Sequence, residues 1–440
     1  MNVALFKGHA YQTFLIDGVA SRLVSEVRRM QPILESCCGL DVHKSMVMAC
    51  IAYGPLDKPP KYEIRKFSTM TSDIRELKDW LKKYNVTAVA MESTGIYWKP
   101  IFNILEDGFE IVLANAQHIK NVPGRKTDIR DCQWIAQLFR NGLIAGSFIP
   151  PRDIRELRDL TRTRRKLVEE MASEKNRVQK VLEDANIKLS SVVSKVFGVS
   201  SLKMIGVLLE KEELSAEEIA ALAKGKLKKK VDQLVKALDG NVTDHHRFLL
   251  KEHLAHIDFL LEQIKDFDEE IRKKLRPYET KFKDIQSVTG VKDVSAASVI
   301  AEIGVDMSKF PDEAHLSSWA AVCPGNNESA GKKKSGRTRR GNNYLKATLT
   351  ESAWAASRKK GTALSAIYHS IARRRGKKRA LVAVGHRILI EIYRVLKTGK
   401  PYQDVGADIA NERRSKNREH AMIRDLERRG YVVSKVMASI

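Results

Sequence analysis

Four carboxylates and one serine stand where phosphodiester chemistry could use them. Asp41 closes an apolar run, and Glu92 ends a second short run at 86–91. Asp128 and Asp131 lie three apart on a helical stretch, so they share a helix face. Mg²⁺ prefers hard oxygen ligands and uses few carboxylates, which leaves positions for phosphate oxygens. Two such ions about 4 Å apart can activate an attacking oxygen and stabilise a leaving one. Mn²⁺ is the substitute such a ligand set admits. Each residue also has an ordinary reading. A strand-end Asp serves as a turn or cap residue, Asp128 can cap a helix beginning near Thr127, and the pair can be solvated beside Arg125 or Arg130. The signal is the conjunction of all four.

The serine lies in Cys323-Pro324-Gly325-Asn326-Asn327-Glu328-Ser329-Ala330-Gly331, followed by Lys332, Lys333 and Lys334 and then Arg337, Arg339 and Arg340. Pro and Gly mark this tract as a loop. A serine hydroxyl is a weak nucleophile without help, and the cations around it suit a scissile phosphate and the charge that builds on it. Gly325 and Gly331 have five residues between them, so the Walker spacing of an ATP site is absent. The bland alternative is a loop serine beside a solvated basic stretch. Upstream, residues 285–304 read as helix, Thr289-Gly290-Val291 turn, helix. This is the outline of a helix-hairpin-helix element in which Gly290 would let the backbone approach a phosphate. An ordinary helical hairpin with a glycine stop reads the same way. Asn342, Asn343 and Tyr344 add polar and stacking potential, whereas Trp98, Trp134, Trp319 and Trp354 read as core. His43 beside Asp41 reads as a polar contact that could orient water or a phosphate.

The elements that would position these residues follow from periodicity. Apolar or alternating runs ending at 41, at 46–53, 61–67, 86–91 and 109–113 read as strands, and 73–84, 97–105 and 127–141 as helices. The order is three strands, helix, strand, helix, strand, helix. That is the element order of an RNase H-like α/β domain, here expected over 36–150. Residues 151–280 contain two long amphipathic stretches. One carries Leu157, Leu160, Leu167, Met171, Val178, Val181 and Leu182; the other carries Leu249, Leu250, Leu254, Ile257, Leu261, Ile264, Phe267 and Ile271. They predict an antiparallel coiled-coil arm, with the basic run 224–230 as a connecting loop or helix. A mainly helical, basic carboxy-terminal domain is expected over 281–405, with a charged tail over 406–440 that is mobile or partner-bound.

Composition narrows the partners. The chain has 440 residues, 78 Lys and Arg against 54 Asp and Glu, and a formal net charge of +24. Such an excess attracts polyanions and speeds encounter with them. Five cysteines without metal-ligand spacing read as free thiols of a reducing compartment rather than a disulfide framework. No run approaches the ~20 apolar residues of a membrane span, and residues 1–30 lack the core of a signal peptide. The expected setting is the cytoplasm of a bacterium, at the nucleoid.

Three tracts resemble one family. Gly39-Leu40-Asp41-Val42-His43-Lys44, Met91-Glu92-Ser93-Thr94-Gly95 and Lys126-Thr127-Asp128-Ile129-Arg130-Asp131 are similar to motifs of the DEDD transposases of the insertion sequence one-ten family, the bridge-RNA-guided recombinases. The resemblance covers about 36–195 and 283–400. It implies a RuvC-like catalytic domain with Asp41, Glu92, Asp128 and Asp131 as the metal-binding tetrad. It further implies a transposase domain whose serine, at Ser329, attacks DNA and forms a phosphoserine link. The implied function is site-specific transposition or recombination, with donor and target DNA as partners and a noncoding bridge RNA as guide. Homodimers would form through the coiled coil and assemble into a tetramer, in which the active site can be shared between subunits. Two other readings remain open: a junction-resolving endonuclease with the same carboxylates and water as nucleophile, and a non-catalytic nucleic-acid scaffold.

Overall fold

The computed structural model describes residues 32–93, 95–114, 128–144, 146–211, 215–324, 327–329, 332–335, 338 and 341–434. The chain divides into two compact units, Met1–Ile149 and Pro150–Ile440.

The first unit is built on strands β1 (Ser36–Val42), β2 (Met46–Tyr53) and β3 (Lys61–Ser68), helix α1 (Thr71–Lys83), strand β4 (Ala88–Glu92), helix α2 (Trp98–Leu105), strand β5 (Glu110–Ala114) and helix α3 (Asp128–Arg140). The sheet order is β3-β2-β1-β4-β5. The first three strands form an antiparallel meander, and β4 and β5 continue it in parallel. This is the RNase H-like arrangement that the element order predicts. Side chains alternate along each strand, and the sheet is covered on both faces. Cys38, Leu40, Val42, Val89 and Met91 pack under α1 and α2, with Ile74, Leu77, Ile101 and Leu105. Cys37, Cys50, Ala52, Ala88 and Ala90 pack under α3, with Cys132, Ile135, Ala136 and Phe139.

Two features fix α3. A Cβ at position 39 would lie 2.4 Å from both the Ala136 nitrogen and the Cys132 oxygen, so the helix backbone rests on β1 where glycine leaves room. At its other end Arg140 is buried, with its guanidinium donating to the carbonyls of Glu35 at 2.7 Å and of Gly54 and Pro55 at 2.9 Å each. The Glu35 carbonyl also accepts from Gly54 N at 3.0 Å and that of Pro55 from Lys58 N at 3.4 Å, so the guanidinium adds to backbone bonds already closing this turn. Cys37, Cys38, Cys50 and Cys132 are free and buried, and Cys323 is free and half-buried.

The second unit starts with helix α4 (Arg152–Asp184). A one-turn helix α5 (Leu189–Val192), helices α6 (Val199–Glu210) and α7 (Ala216–Leu222), a 3₁₀ segment (Gly225–Lys230) and α8 (Val231–Leu238) follow. Helix α9 (Asp244–Leu275) runs back along α4. Lys274 meets Glu156, Arg164 meets Asp268 at 2.5 Å, His253 meets Glu174 at 2.8 Å, and His246 meets Asp184 at 3.0 Å. These pairs descend one helix while climbing the other, so the two are antiparallel along their length. The seam buries Thr161, Glu174 and His246 together with Leu157, Val178, Leu182, Leu250, Ile257, Ile264 and Ile271 of the expected set, whereas Leu261, expected in the seam, is exposed. What joins the two helices is more than the connector expected at 224–230. Ile187, Leu189, Met204, Ile205, Leu208 and Leu234 of the intervening segment form one apolar core with Val178 and Leu182 of α4 and Leu250 and Ile257 of α9.

The rest of this unit holds α10 (Glu279–Gln286), α11 (Asp293–Ile303), α12 (Glu313–Trp319), a hairpin of β6 (Asn327–Ser329) and β7 (Lys332–Ser335), and helices α13 (Asn343–Arg358), α14 (Ala363–Arg375), α15 (Lys377–Thr398) and α16 (Gly406–Arg428). The segment expected as a loose tail is largely α16, and it is anchored by buried Ala410. Near the start of α4, Glu302 of α11 is 2% exposed and accepts from Arg162 Nε and Nη2 at 2.7 and 2.8 Å and from Asn342 Nδ2 at 2.6 Å. Arg158 donates to the Ala301 and Glu302 carbonyls at 3.0 and 2.7 Å. A buried carboxylate is tolerable only when paired in this way.

Two stability outcomes are expected. Gly39→Ala should lift α3 from the sheet at a cost of about 2 kcal/mol, read in the intact chain as faster hydrogen exchange of β1 and α3 amides. Glu302→Gln should cost about 3 kcal/mol because the buried carboxylate is the shared acceptor of Arg162 and Asn342 and also faces Arg158. Asp268→Asn, whose carboxylate is one-third exposed and pairs with Arg164, should cost about 1 kcal/mol or less. Equal losses in denaturant midpoint for these last two variants would refute the difference in burial.

Candidate functional site

Strand register brings two of the four carboxylates side by side. β1 and β4 are parallel with Leu40 opposite Met91, so Asp41 and Glu92 are the next positions on neighbouring strands. Leu40 and Met91 face α1 and α2, so Asp41 and Glu92 face α3. Asp41 also lies opposite Met48, and Glu92 opposite Ala114; both neighbours pack in the α3 layer.

The other two carboxylates come from the helix that rests there. Asp128 opens α3, and Asp131 is half-buried one turn along. Position 131 shares a stripe with buried Ile135 and Leu138, and position 128 with buried Cys132 and Ile135. Both stripes face the sheet. Asp41 is near enough for its charge to act on the Cys132 thiol, which ties it to the first turns of α3. Acidic residues in a first helical turn are favoured by the helix dipole.

Asp41, Glu92 and Asp131 are thus directed to one end of one sheet face, and position 128 lies in the helical turn above it. They are not gathered into a closed cluster: among the described residues, no three His, Cys, Asp or Glu side chains lie close enough to hold a metal ion. The Asp128 side chain is outside the described residues. His43 Nε2 stands 3.1 Å from Asp41 Oδ2 with its ring half in solvent, so the polar contact expected for it is with the carboxylate itself. Among the described residues, neither Glu92 nor Asp131 has a cation within ion-pair distance.

In the second unit Ser329 ends β6 and pairs with Lys332 at the start of β7. The tract read as a loop is therefore a β-hairpin, its two strands joined through Ala330 and Gly331. Glu328 opposes Lys333, with a register shift between Asn327 and Glu328. Lys332, Lys333 and Lys334 lie on β7, but their side chains and that of Ser329 are outside the described residues, as are Arg337, Arg339 and Arg340 altogether. A bridge between Pro324 and Thr338 closes the base of the hairpin, and Lys346 Nζ donates to Thr338 Oγ1 at 2.9 Å.

Several other expectations change. Gly290 has φ 94° and turns its open side to α13, where a Cβ would sit 2.3 Å from the Ser352 carbonyl. Helix packing alone therefore requires glycine there. Asn342 caps α13 and holds Glu302, and Tyr344 lies under the Arg162 guanidinium at 4.5 Å. Both are internal rather than poised for bases. Trp354, expected in the core, is exposed with Arg358 stacked 4.8 Å over its ring. Sequence reasoning missed the Arg140 clamp and the Glu302 network. A lone Arg at the end of an amphipathic helix and a Glu in an alanine-rich helix were the only signals.

Residues 38–187 match the family model of DEDD transposases of the IS110 type. Residues 283–369 match the model described as Transposase IS116/IS110/IS902 family. Among solved structures the chain is similar to RuvC of Thermus thermophilus, at 11% identity over 26% of this chain and 99% of that one, with a TM-score of 0.20. The same protein in complex with a Holliday junction substrate gives 11% identity over 26% of this chain and 100% of that one, with a TM-score of 0.20. No curated protein matches the chain. Among the described residues, no helix is long and apolar enough to cross a membrane. The matched segments carry the DEDD carboxylates and the serine hairpin and together span more than half of the sequence: the chain belongs to the IS116/IS110/IS902 family of transposases and acts as a DNA transposase or recombinase.

Proposed function

We propose that this transposase cuts and rejoins DNA site-specifically, with Asp41, Glu92, Asp128 and Asp131 as ligands of Mg²⁺ and Ser329 as nucleophile. The observation that carries this reading is the shared register of Asp41 and Glu92 on the face where the first turn of α3 places Asp131 and position 128. Glu92 and Asp131 lack a protein cation among the described residues, and their oxygens suit a hard divalent ion better than the buried thiols behind them do. When bound, the metal supplies Lewis-acid stabilisation of charge on the phosphate oxygens.

In the first step Ser329 Oγ loses its proton and attacks the scissile phosphorus. A phosphoserine ester forms as one P–O bond to the deoxyribose breaks, and the freed sugar oxygen takes a proton. In the second step a hydroxyl of the other DNA attacks the same phosphorus and returns the serine oxygen. The phosphodiester count is unchanged, so no external energy source is needed. Lys332, Lys333, Lys334, Arg337, Arg339 and Arg340 contact phosphates around the reacting bond. Choice of site falls to a bridge RNA paired with donor and target DNA, which the net charge of +24 suits. The α4–α9 pair serves as a coiled-coil arm for dimerisation, and two dimers bring donor and target together. Residues 281–405 act as the transposase domain, and the protein works at the nucleoid.

Ser329→Ala should lower strand transfer by more than about a thousandfold and abolish any covalent protein–DNA adduct on a denaturing gel. Cutting that persists in Ser329→Ala would identify a hydrolase with water as nucleophile, and the serine assignment would fall. Chelation should stop strand transfer, with Mg²⁺ or Mn²⁺ restoring it. Mg²⁺ should also raise the melting temperature of the wild type but not of Asp41→Asn or Glu92→Gln. A wild type indifferent to Mg²⁺ in both assays would remove the metal site.

A further inference from the structure

A second cationic feature lies away from Ser329, where α14, α15 and α16 meet around a cavity of about 470 Å³. Its lining includes five cations, Arg387, Arg394, Lys400, Arg413 and Arg414, against the single carboxylate of Glu391. Glu391 is already engaged by Arg387 at 3.5 Å and Arg394 at 3.3 Å, and Arg394 also reaches Glu313 at 3.2 Å. Among the described residues, Lys400, Arg413 and Arg414 have no carboxylate within ion-pair distance.

Arg414 is the informative one. Its Nε donates to the Ala410 carbonyl at 3.3 Å and its Nη2 to Asn411 Oδ1. Its Nη1 is buried and has no partner. A charged donor withdrawn from water without an acceptor is unfavourable. Burial, and then the nearby charges of Arg374 and Arg373, push the Arg414 guanidinium down from its ordinary value. Those two arginines belong to the basic run 373–379, which the catalytic reading leaves unused. An anion entering here would offset that repulsion.

The remaining walls favour a nucleotide over a bare ion. Tyr402, Ile367 and Val405 line the same cavity. The loop bearing Tyr402 is fixed in advance: Tyr402 N donates to Ser287 Oγ at 2.7 Å, and Asp404 accepts from Ala363 N at 2.9 Å, Gly406 N at 2.8 Å and Thr289 Oγ1 at 3.1 Å. A volume near 470 Å³ lies within the ordinary range for small-ligand sites. We propose that this cavity seats one nucleotide unit of a nucleic-acid strand, its phosphate on Arg414 and Arg413 and its sugar or base against Tyr402 and Val405. The inference rests on the nucleic-acid part of the function above and on none of its catalysis.

The test uses the full chain and a short fluorescent single-stranded oligonucleotide, titrated at several salt concentrations. Arg414→Met should weaken binding about tenfold, the equivalent of one lost charge-assisted contact. The slope of log K against log salt should fall by about 0.7, one single-strand phosphate contact. Arg414→Lys should keep the slope, and Arg424→Met on the same helix should change nothing. Without ligand, Arg414→Met should melt no lower than wild type, because its two hydrogen bonds stay within its own helix and one of its donors is unpaired. Unchanged affinity and slope in Arg414→Met would overturn the proposal, as would a lower melting temperature with unchanged binding. Inorganic phosphate and AMP serve as the second arm. If they raise the wild-type melting temperature through Arg414 while oligonucleotide binding ignores it, the strand assignment is overturned in favour of a free phosphate. A wild type that binds no oligonucleotide fails the broader functional reading; one that binds equally with and without Arg414 fails only this inference.

Discussion

The acidic face of the first unit depends on one close approach. Helix α3 can lie on β1 only because position 39 has no side chain, its backbone passing where a Cβ would come within 2.4 Å of two of its atoms. That contact sets the height of the helix above the sheet and so the reach of its first turn toward Asp41 and Glu92. Small residues repeat the theme nearby: Ala88, Ala90, Ala114 and Ala136 fill the layer beneath the helix. The opposite face, under α1 and α2, carries Leu, Ile, Val, Phe and Met instead. A thin layer on one side and a thick one on the other let polar side chains project at the strand ends on the thin side without being submerged.

Charge is handled differently in the two units. In the second, the excess of cations sits mostly on exposed helix faces, while the few carboxylates in the interior are tied in fully. Glu302 accepts from Arg162 and Asn342, and Glu174 is bracketed by Arg177, His253 and His256. A buried carboxylate held by several donors sets geometry more than it adds stability. Glu302 has a clear geometric task, because it joins the start of α4 to α11 and to the cap of α13, the helix that follows the serine hairpin.

The α/β unit was legible because each element carries its own period. Alternation ended in Asp41 and Glu92 where the strands end, and the parallel crossover of this topology carries two strand termini to one side. The positions that misled were those whose meaning is set by distant partners. Ser329 lies in a Pro- and Gly-flanked tract that reads as loop, and only cross-strand pairing with Lys332 makes it a strand end. Gly290 was read as an opening toward phosphate, yet the space it leaves is taken by α13. The charged segment after 405 gives little sign of an anchor because a single alanine, Ala410, is its buried residue. Asn342 is taken up by Glu302, forty residues upstream, and Tyr344 by the Arg162 guanidinium over its ring.

The proposed roles place opposite demands on their residues. A phosphodiester is repelled by carboxylates, so under the proposal Asp41, Glu92 and Asp131 would repel the substrate until a divalent cation reversed the local sign. A serine hydroxyl has the opposite difficulty: basic surroundings welcome the phosphate but do not by themselves remove the hydroxyl proton. Neither set of residues suffices alone, and each supplies what the other lacks. This complementarity also explains why the chain can be so basic without being indiscriminate. Cations spread over helix faces raise encounter with any nucleic acid, whereas the proposed reaction would add the separate requirements of the carboxylates and of the serine. Specificity of outcome can then lie in the positioning of a strand rather than in the strength of its attraction.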